Sequence, residues 1–282
     1  MKKQFILAGT GILLVVFLFI FGRTSEPQKP ASKMPEKPQI SSFNVEEFIN
    51  TAKQKLSPSQ LVYLSSLENS VKRGDVRSQQ ITAYNNLASF WKDSAGLFEP
   101  YAFYISKASK LDNSEKNLTF AGQLFLQDLR GEHDVAKLNW EKNEAISLFE
   151  KAIELNPGND DLRIRLGSCY VFGAGGNGDP QETMKGIKEL LTVVRKDSTN
   201  MKAQMVLGVG GYVSGQYDKA IERFQKVIAK QPDNIEAIAF LADTYAAKGD
   251  KEDAVKWYTI SKRLVNNPDY SKEVDERIKM LK

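Results

Sequence analysis

Gly173, Gly175 and Gly178, in the segment FGAGGNGDP at residues 172–180, stand at the G-x-G-x-x-G spacing of a dinucleotide-binding loop. In such a loop the glycines let the backbone approach a pyrophosphate at a helix amino end. An acid about 20 residues further on holds the ribose, and Asp197 lies 19 residues beyond Gly178. Other chemistry-bearing residues are sparse. Cys169 and His133 are each the single residue of their type, which excludes an intramolecular disulfide and a Cys/His zinc cluster. A serine or cysteine nucleophile would have His133 as its one histidine partner. The carboxylate pairs Glu46–Glu47 and Asp160–Asp161 stand at helix starts, where negative charge favours the dipole, and no pair has a spacing diagnostic of acid–base catalysis. These residues point to no catalysis, no cofactor and no metal site.

Lys and Arg number 39 against 35 Asp and Glu, a net charge of +4. The excess lies within residues 1–42, where Lys2, Lys3, Arg23, Lys29, Lys33 and Lys37 face Glu26 and Glu36. The remainder is balanced, so no net basic field draws nucleic acid.

Residues 5–22, FILAGTGILLVVFLFIFG, are 18 consecutive uncharged residues, close to the length that crosses a bilayer core. No small-residue cleavage pattern or lipid-accepting cysteine follows, so the segment reads as an uncleaved anchor. The short basic tail before it is that of a signal-anchor that exports the rest of the chain. Arg23, Lys29, Lys33 and Lys37 after it favour the opposite, cytoplasm-facing orientation. Residues 23–42, with Pro27, Pro30, Pro35 and Pro38, read as a semi-extended tether.

From residue 43 the apolar spacing is helical, without sustained strand alternation. Asn44 with Glu47, and Ser57 with Pro58 and Gln60, are helix-start signals for a helical pair over 43–80. Three segments then share one pattern: AISLFEKAIELNPGN (145–159), GIKELLTVVRKDSTN (186–200) and AIERFQKVIAKQPDN (220–234). Each is preceded by a helix carrying a Leu-Gly-like pair and often an aromatic three residues on, as in Leu166, Gly167, Tyr170 and Leu241, Ala242, Tyr245. Gly208 and Ala242, like Ala88 and Gly122, are 34 residues apart. This resembles the tetratricopeptide repeat family, a 34-residue helix-turn-helix unit. The layout of a basic tail, one anchor and repeats is similar to that of membrane-anchored bacterial members.

The resemblance implies an all-α, right-handed superhelical solenoid with repeats at 81–114, 115–159, 160–200, 201–234 and 235–268, closed by a capping helix at 269–282. Spacings of 45 from Gly122 to Gly167 and 41 from Gly167 to Gly208 place insertions between the two helices of the second and third repeats, at 131–143 and 172–180. In that register DLRIRLGSCYVF, before the glycines, is a helix where a dinucleotide site needs a strand. The glycine segment therefore reads as an enlarged turn, with nucleotide binding through Gly173–Gly178 as the alternative. Trp140, in the longer insertion, is a candidate exposed contact, whereas Trp91 and Trp257 read as packing residues.

Repeats of this family present a concave groove lined by the first helix of each unit. The positions that match are Phe120, Ile164, Arg165, Phe172, Met205, Val206, Val209, Tyr212, Val213 and Phe240, with Asn85, Ser89 and Gln123 as polar members. The family's chaperone-binding clamp of Lys, Asn and Arg is represented by scattered members such as Asn85 and Arg165, and the apolar set suits a peptide or amphipathic helix of a protein partner. Met205, Val206 and Val209 read equally well as packing between helices. The implied function is a scaffold in a bacterial envelope, single-pass in the inner membrane, with the repeats periplasmic or, alternatively, cytoplasmic. Homo-oligomerisation through Leu61, Leu64, Leu67 and Val71 is the other reading.

Overall fold

The computed structural model describes residues 42–73, 76–174 and 180–281. The anchor at 5–22, all but the last residue of the tether at 23–42, and Gly175 and Gly178 lie outside the described residues. Among the described residues the regular elements are thirteen α-helices: α1 (Val45–Lys53), α2 (Pro58–Arg73), α3 (Arg77–Ser89), α4 (Phe98–Asp112), α5 (Glu115–Asp128), α6 (Val135–Leu155), α7 (Asp160–Phe172), α8 (Pro180–Lys196), α9 (Met201–Val213), α10 (Tyr217–Lys230), α11 (Ile235–Lys248), α12 (Lys251–Val265) and α13 (Pro268–Leu281). A π-helical turn, Phe90–Ser94, prolongs α3.

Local chemistry sets the helix starts. Asn44 Oδ1 accepts from the Glu46 and Glu47 amides at 3.1 and 3.2 Å. Ser57 and Gln60 exchange hydrogen bonds, the Ser57 amide donating to Gln60 Oε1 at 2.9 Å and the Gln60 amide to Ser57 Oγ at 3.3 Å. Each of the turns NPGN, DSTN and QPDN ends in an asparagine that caps the next helix: Asn159, Asn200 and Asn234 accept from amides two or three residues on.

The most extensive packing joins neighbouring helices as α3–α4, α5–α6, α7–α8, α9–α10 and α11–α12. In α5–α6, α7–α8 and α9–α10 a glycine on the first helix meets a large side chain on the second. A Cβ added to Gly122 would stand 2.8 Å from the Phe149 ring, and one added to Gly208 would stand 2.5 Å from the Phe224 ring. In α7–α8 the backbones themselves touch, since a Cβ on Gly186 would lie 2.7 Å from the Gly167 carbonyl oxygen.

Three apolar clusters run along the stack, around Trp91, around Phe125 and Phe149, and around Leu190, Phe224 and Leu241. Trp140 borders the first two and Phe172 the last two. At the carboxyl end α13 buries Val274 and packs Tyr270, Ile278 and Leu281 against the last cluster.

The extra residues of the second pair do not all lie between its helices. Residues 135–143 belong to α6, whose 21 residues make it the longest of the described helices. The cap at Asp134, whose Oδ1 accepts from the Ala136 and Lys137 amides at 2.8 and 3.2 Å, starts the helix early, and no glycine or proline interrupts it. Trp140 is accordingly not an exposed contact. Its ring stands edge-on to Phe125 at 5.3 Å and tilted on Phe43 at 5.1 Å.

Gly186→Ala should force α7 and α8 apart. Overpacking against backbone costs about 3 kcal/mol and the gain in helix propensity returns about 1 kcal/mol, a net loss of about 2 kcal/mol in urea unfolding. Gly131→Ala, whose Cβ would meet nothing nearer than 3.8 Å, should stay within about 0.5 kcal/mol of the parent.

Candidate partner groove

The candidate groove residues lie on α5, α7, α9 and α11, the first helices of four successive pairs. Each of these helices touches the next in the series, so their facing side chains form one strip. Ile164, Met205, Val206 and Val209 are 6, 8, 6 and 2% exposed and fill the space between helices in the last cluster. They are packing residues. Phe172, Tyr212 and Phe240 are half-buried at the edge of that cluster. Tyr212 meets Phe240 edge-on at 6.1 Å, and Phe240 stacks on Phe224 at 5.7 Å. Phe120 and Val213 stand clear, at 50 and 44% exposed.

Charges on this strip are paired within the chain. Arg165 Nε donates to Asp161 Oδ2 at 2.6 Å and its Nη1 to Gln123 Oε1. Asp243 Oδ1 accepts from the Tyr258 hydroxyl at 2.5 Å and from Arg277 Nη1 at 2.8 Å. Burial, then its hydrogen bond to Asp243, pushes the Tyr258 phenol far above its usual range, and burial, then the Asp243 charge, raises Tyr212. Both remain neutral donors at physiological pH.

Arg130 and Glu236 complete the strip without having been marked by any motif. The Arg130 guanidinium lies over the Phe172 ring at 4.1 Å, and its Nη1 meets Glu236 Oε1 at 3.0 Å. The pair joins the end of α5 to the start of α11 across 106 residues of sequence. No local signal could reveal it.

The glycine segment does not follow a strand. The chain is helical through Phe172, and a Cβ on Gly173 would meet the Lys142 stem at 2.7 Å. Lys142, buried on α6, reaches Glu182 in the first turn of α8 at 2.6 Å. Asp197 closes its own turn, accepting from the Thr199 amide at 2.9 Å and hydroxyl at 2.7 Å. Cys169 is fully buried, and burial pushes its thiol well above the usual range, which leaves it protonated and unreactive.

Models of the tetratricopeptide repeat match residues 214–272 and 141–159. Tetratricopeptide-repeat sequence is thus present in those two stretches. None of the curated proteins matches it. Among solved structures it is similar to TTC0263, a thermophilic tetratricopeptide protein of Thermus thermophilus, with a TM-score of 0.51 and 14% identity over 71% of this chain and 98% of that one. It is also similar to the MamA protein, at 0.46 and 23% over 65 and 91%. YrrB, described as a tetratricopeptide protein with an unusual peptide-binding site, aligns at 0.44 and 20% over 76 and 99%. The likeness to TTC0263 is one of fold, and it agrees with the all-helical architecture of the described residues.

Truncations separate packing from display. Met205→Ala should cost about 2–3 kcal/mol in urea unfolding, whereas Phe120→Ala should stay within about 0.5 kcal/mol. Equal losses would mean that Phe120 is a core residue.

Proposed function

We propose that the protein is a membrane-tethered scaffold that binds a protein partner along the strip of α5, α7, α9 and α11 and catalyses no reaction. The observation that carries this reading is the pairing of the strip's charges inside the chain while Phe120 and Val213 stand exposed beside half-buried Phe172, Tyr212 and Phe240. A surface of that kind offers a partner apolar area and the neutral hydroxyl of Tyr212, which fits an amphipathic helix or an extended apolar segment.

The tether rests on the sequence. No described helix is long and apolar enough to cross a membrane; the 18 uncharged residues at 5–22 lie outside that search. We place the anchor there, in a bacterial inner membrane, with the repeats on the periplasmic side. The cytoplasm-facing orientation is the competing reading of the basic residues at 23–37. Self-association through α2 is a second functional reading, with altered residues. Leu64 and Leu67 are 1 and 8% exposed and unavailable and Val71 is half-buried, but Leu61 is 37% exposed and Val62 and Tyr63 beside it are 73 and 55% exposed.

A photo-crosslinking side chain placed at Phe120, Val213 or Val62 tests these surfaces. Adducts with another protein are expected at Phe120 and Val213 and not at Val62. Failure at both groove positions sinks the groove reading, and dimer-sized adducts at Val62 alone establish self-association. For topology, protease added to spheroplasts carrying a tag after Lys282 should remove the tag, and protection until lysis would reverse the orientation.

A further inference from the structure

The turn between α5 and α6 gathers carboxylates. Asp128 ends α5, Glu132 lies in the turn, and Glu141 projects from the amino-terminal extension of α6. One ligand atom from each lies within 4.8 Å of the other two. Glu141 is 0% exposed, no amide, hydroxyl or cationic donor among the described residues reaches its carboxylate oxygens, and the group it faces is the Asp128 carboxyl. Glu132 Oε1 is oriented by the His133 and Asp134 amides, which donate to it at 2.7 and 2.6 Å. The neighbouring cation, Lys137, is engaged by Glu99.

A buried carboxylate with no donor and two like charges beside it is among the costliest arrangements a fold can hold. Something positive must compensate it. We infer that Asp128, Glu132 and Glu141 bind a hard divalent cation, with Ca2+ the best fit. The donor set is entirely carboxylate oxygen, the chemistry that selects Ca2+, Mn2+ or Mg2+ over softer metals. Ligand number discriminates further: three protein carboxylates suit Ca2+, which takes six to eight oxygens, better than Mg2+, which keeps several waters and is held by one or two carboxylates. Solvent completes the coordination shell on the Glu132 side, where the site is half-exposed. The ion ties the end of α5 to the extension of α6, and the turn it orders contains Arg130, the residue that covers Phe172.

The test uses the full chain in detergent, stripped with chelator, with Ca2+, Mn2+ and Mg2+ added separately at millimolar concentration. Ca2+ should raise the melting midpoint by about 5 °C or more, Mg2+ should do less, and Tb3+ should luminesce on tryptophan excitation through Trp140 and be displaced by Ca2+. Glu141→Gln should abolish both signals. Glu132→Gln, which changes a half-exposed side chain and leaves the core intact, should weaken Ca2+ binding about tenfold or more in calorimetric titration, and it carries the test if Glu141→Gln fails to fold. Two results overturn the inference: no shift and no displaceable luminescence in the parent, with Glu141→Gln more stable than the parent in chelator, which would mean that a proton shared with Asp128 satisfies the site; or Ca2+ binding unchanged in Glu132→Gln, which would place the ion elsewhere.

Discussion

The close approach of two helices over one small residue is the contact on which the stack depends. Gly122 admits the Phe149 ring, Gly208 admits the Phe224 ring, and Gly167 and Gly186 let two backbones touch. The rings are fully buried, so each pair is locked at short range over a rigid aromatic or backbone surface rather than over flexible chains. Ala88 and Ala242, both 0% exposed, hold the corresponding places in the first and last pairs. Interhelix distance within a pair decides where the next pair docks. A single methyl at these positions is therefore felt along the stack.

The same geometry explains the division of labour on the inner strip. A first helix must cover its own second helix and also meet the first helix of the next pair. The nine consecutive buried residues Ala203–Gly211 on α9 reflect both demands. What remains for a partner is the residue of that requirement: aromatic edges at Phe172, Tyr212 and Phe240, and outlying Phe120 and Val213. Internal pairing of Arg165, Asp243 and Arg277 keeps the strip from acting as a charged surface. Exposed ion pairs of this kind contribute little to stability; their effect here is on what the surface offers.

The two departures from the 34-residue spacing are joined. Lys142, on the extension of α6, reaches across Gly173 to Glu182 at the start of α8. The extension therefore ties the end of α7 to the start of α8 through Lys142, while its Glu141 sits in the acidic cluster. Burying an ammonium and a carboxylate on adjacent residues of one helix is costly unless each is compensated. Lys142 has Glu182; the compensation of Glu141 is the question that the cluster poses.

The sequence alone determined the helical class of the described residues, the Asn44 and Ser57–Gln60 caps, and the helical, not extended, state of the segment before Gly173. All of these follow from interactions within four residues or from a spacing of small residues that repeats along the chain. It did not distinguish Met205, Val206 and Val209, which are buried, from Phe120 and Val213, which are exposed, because apolar periodicity marks that a face is covered and not by what. It read residues 131–143 as lying between helices, although most of them extend α6. Arg130 meeting Glu236 over 106 residues, and Glu141 meeting Asp128 and Glu132 in a place without donors, were decided by tertiary structure alone. Carboxylates and guanidinium groups look like solvated surface in a sequence, and only the packing of distant helices determines which of them lose their water.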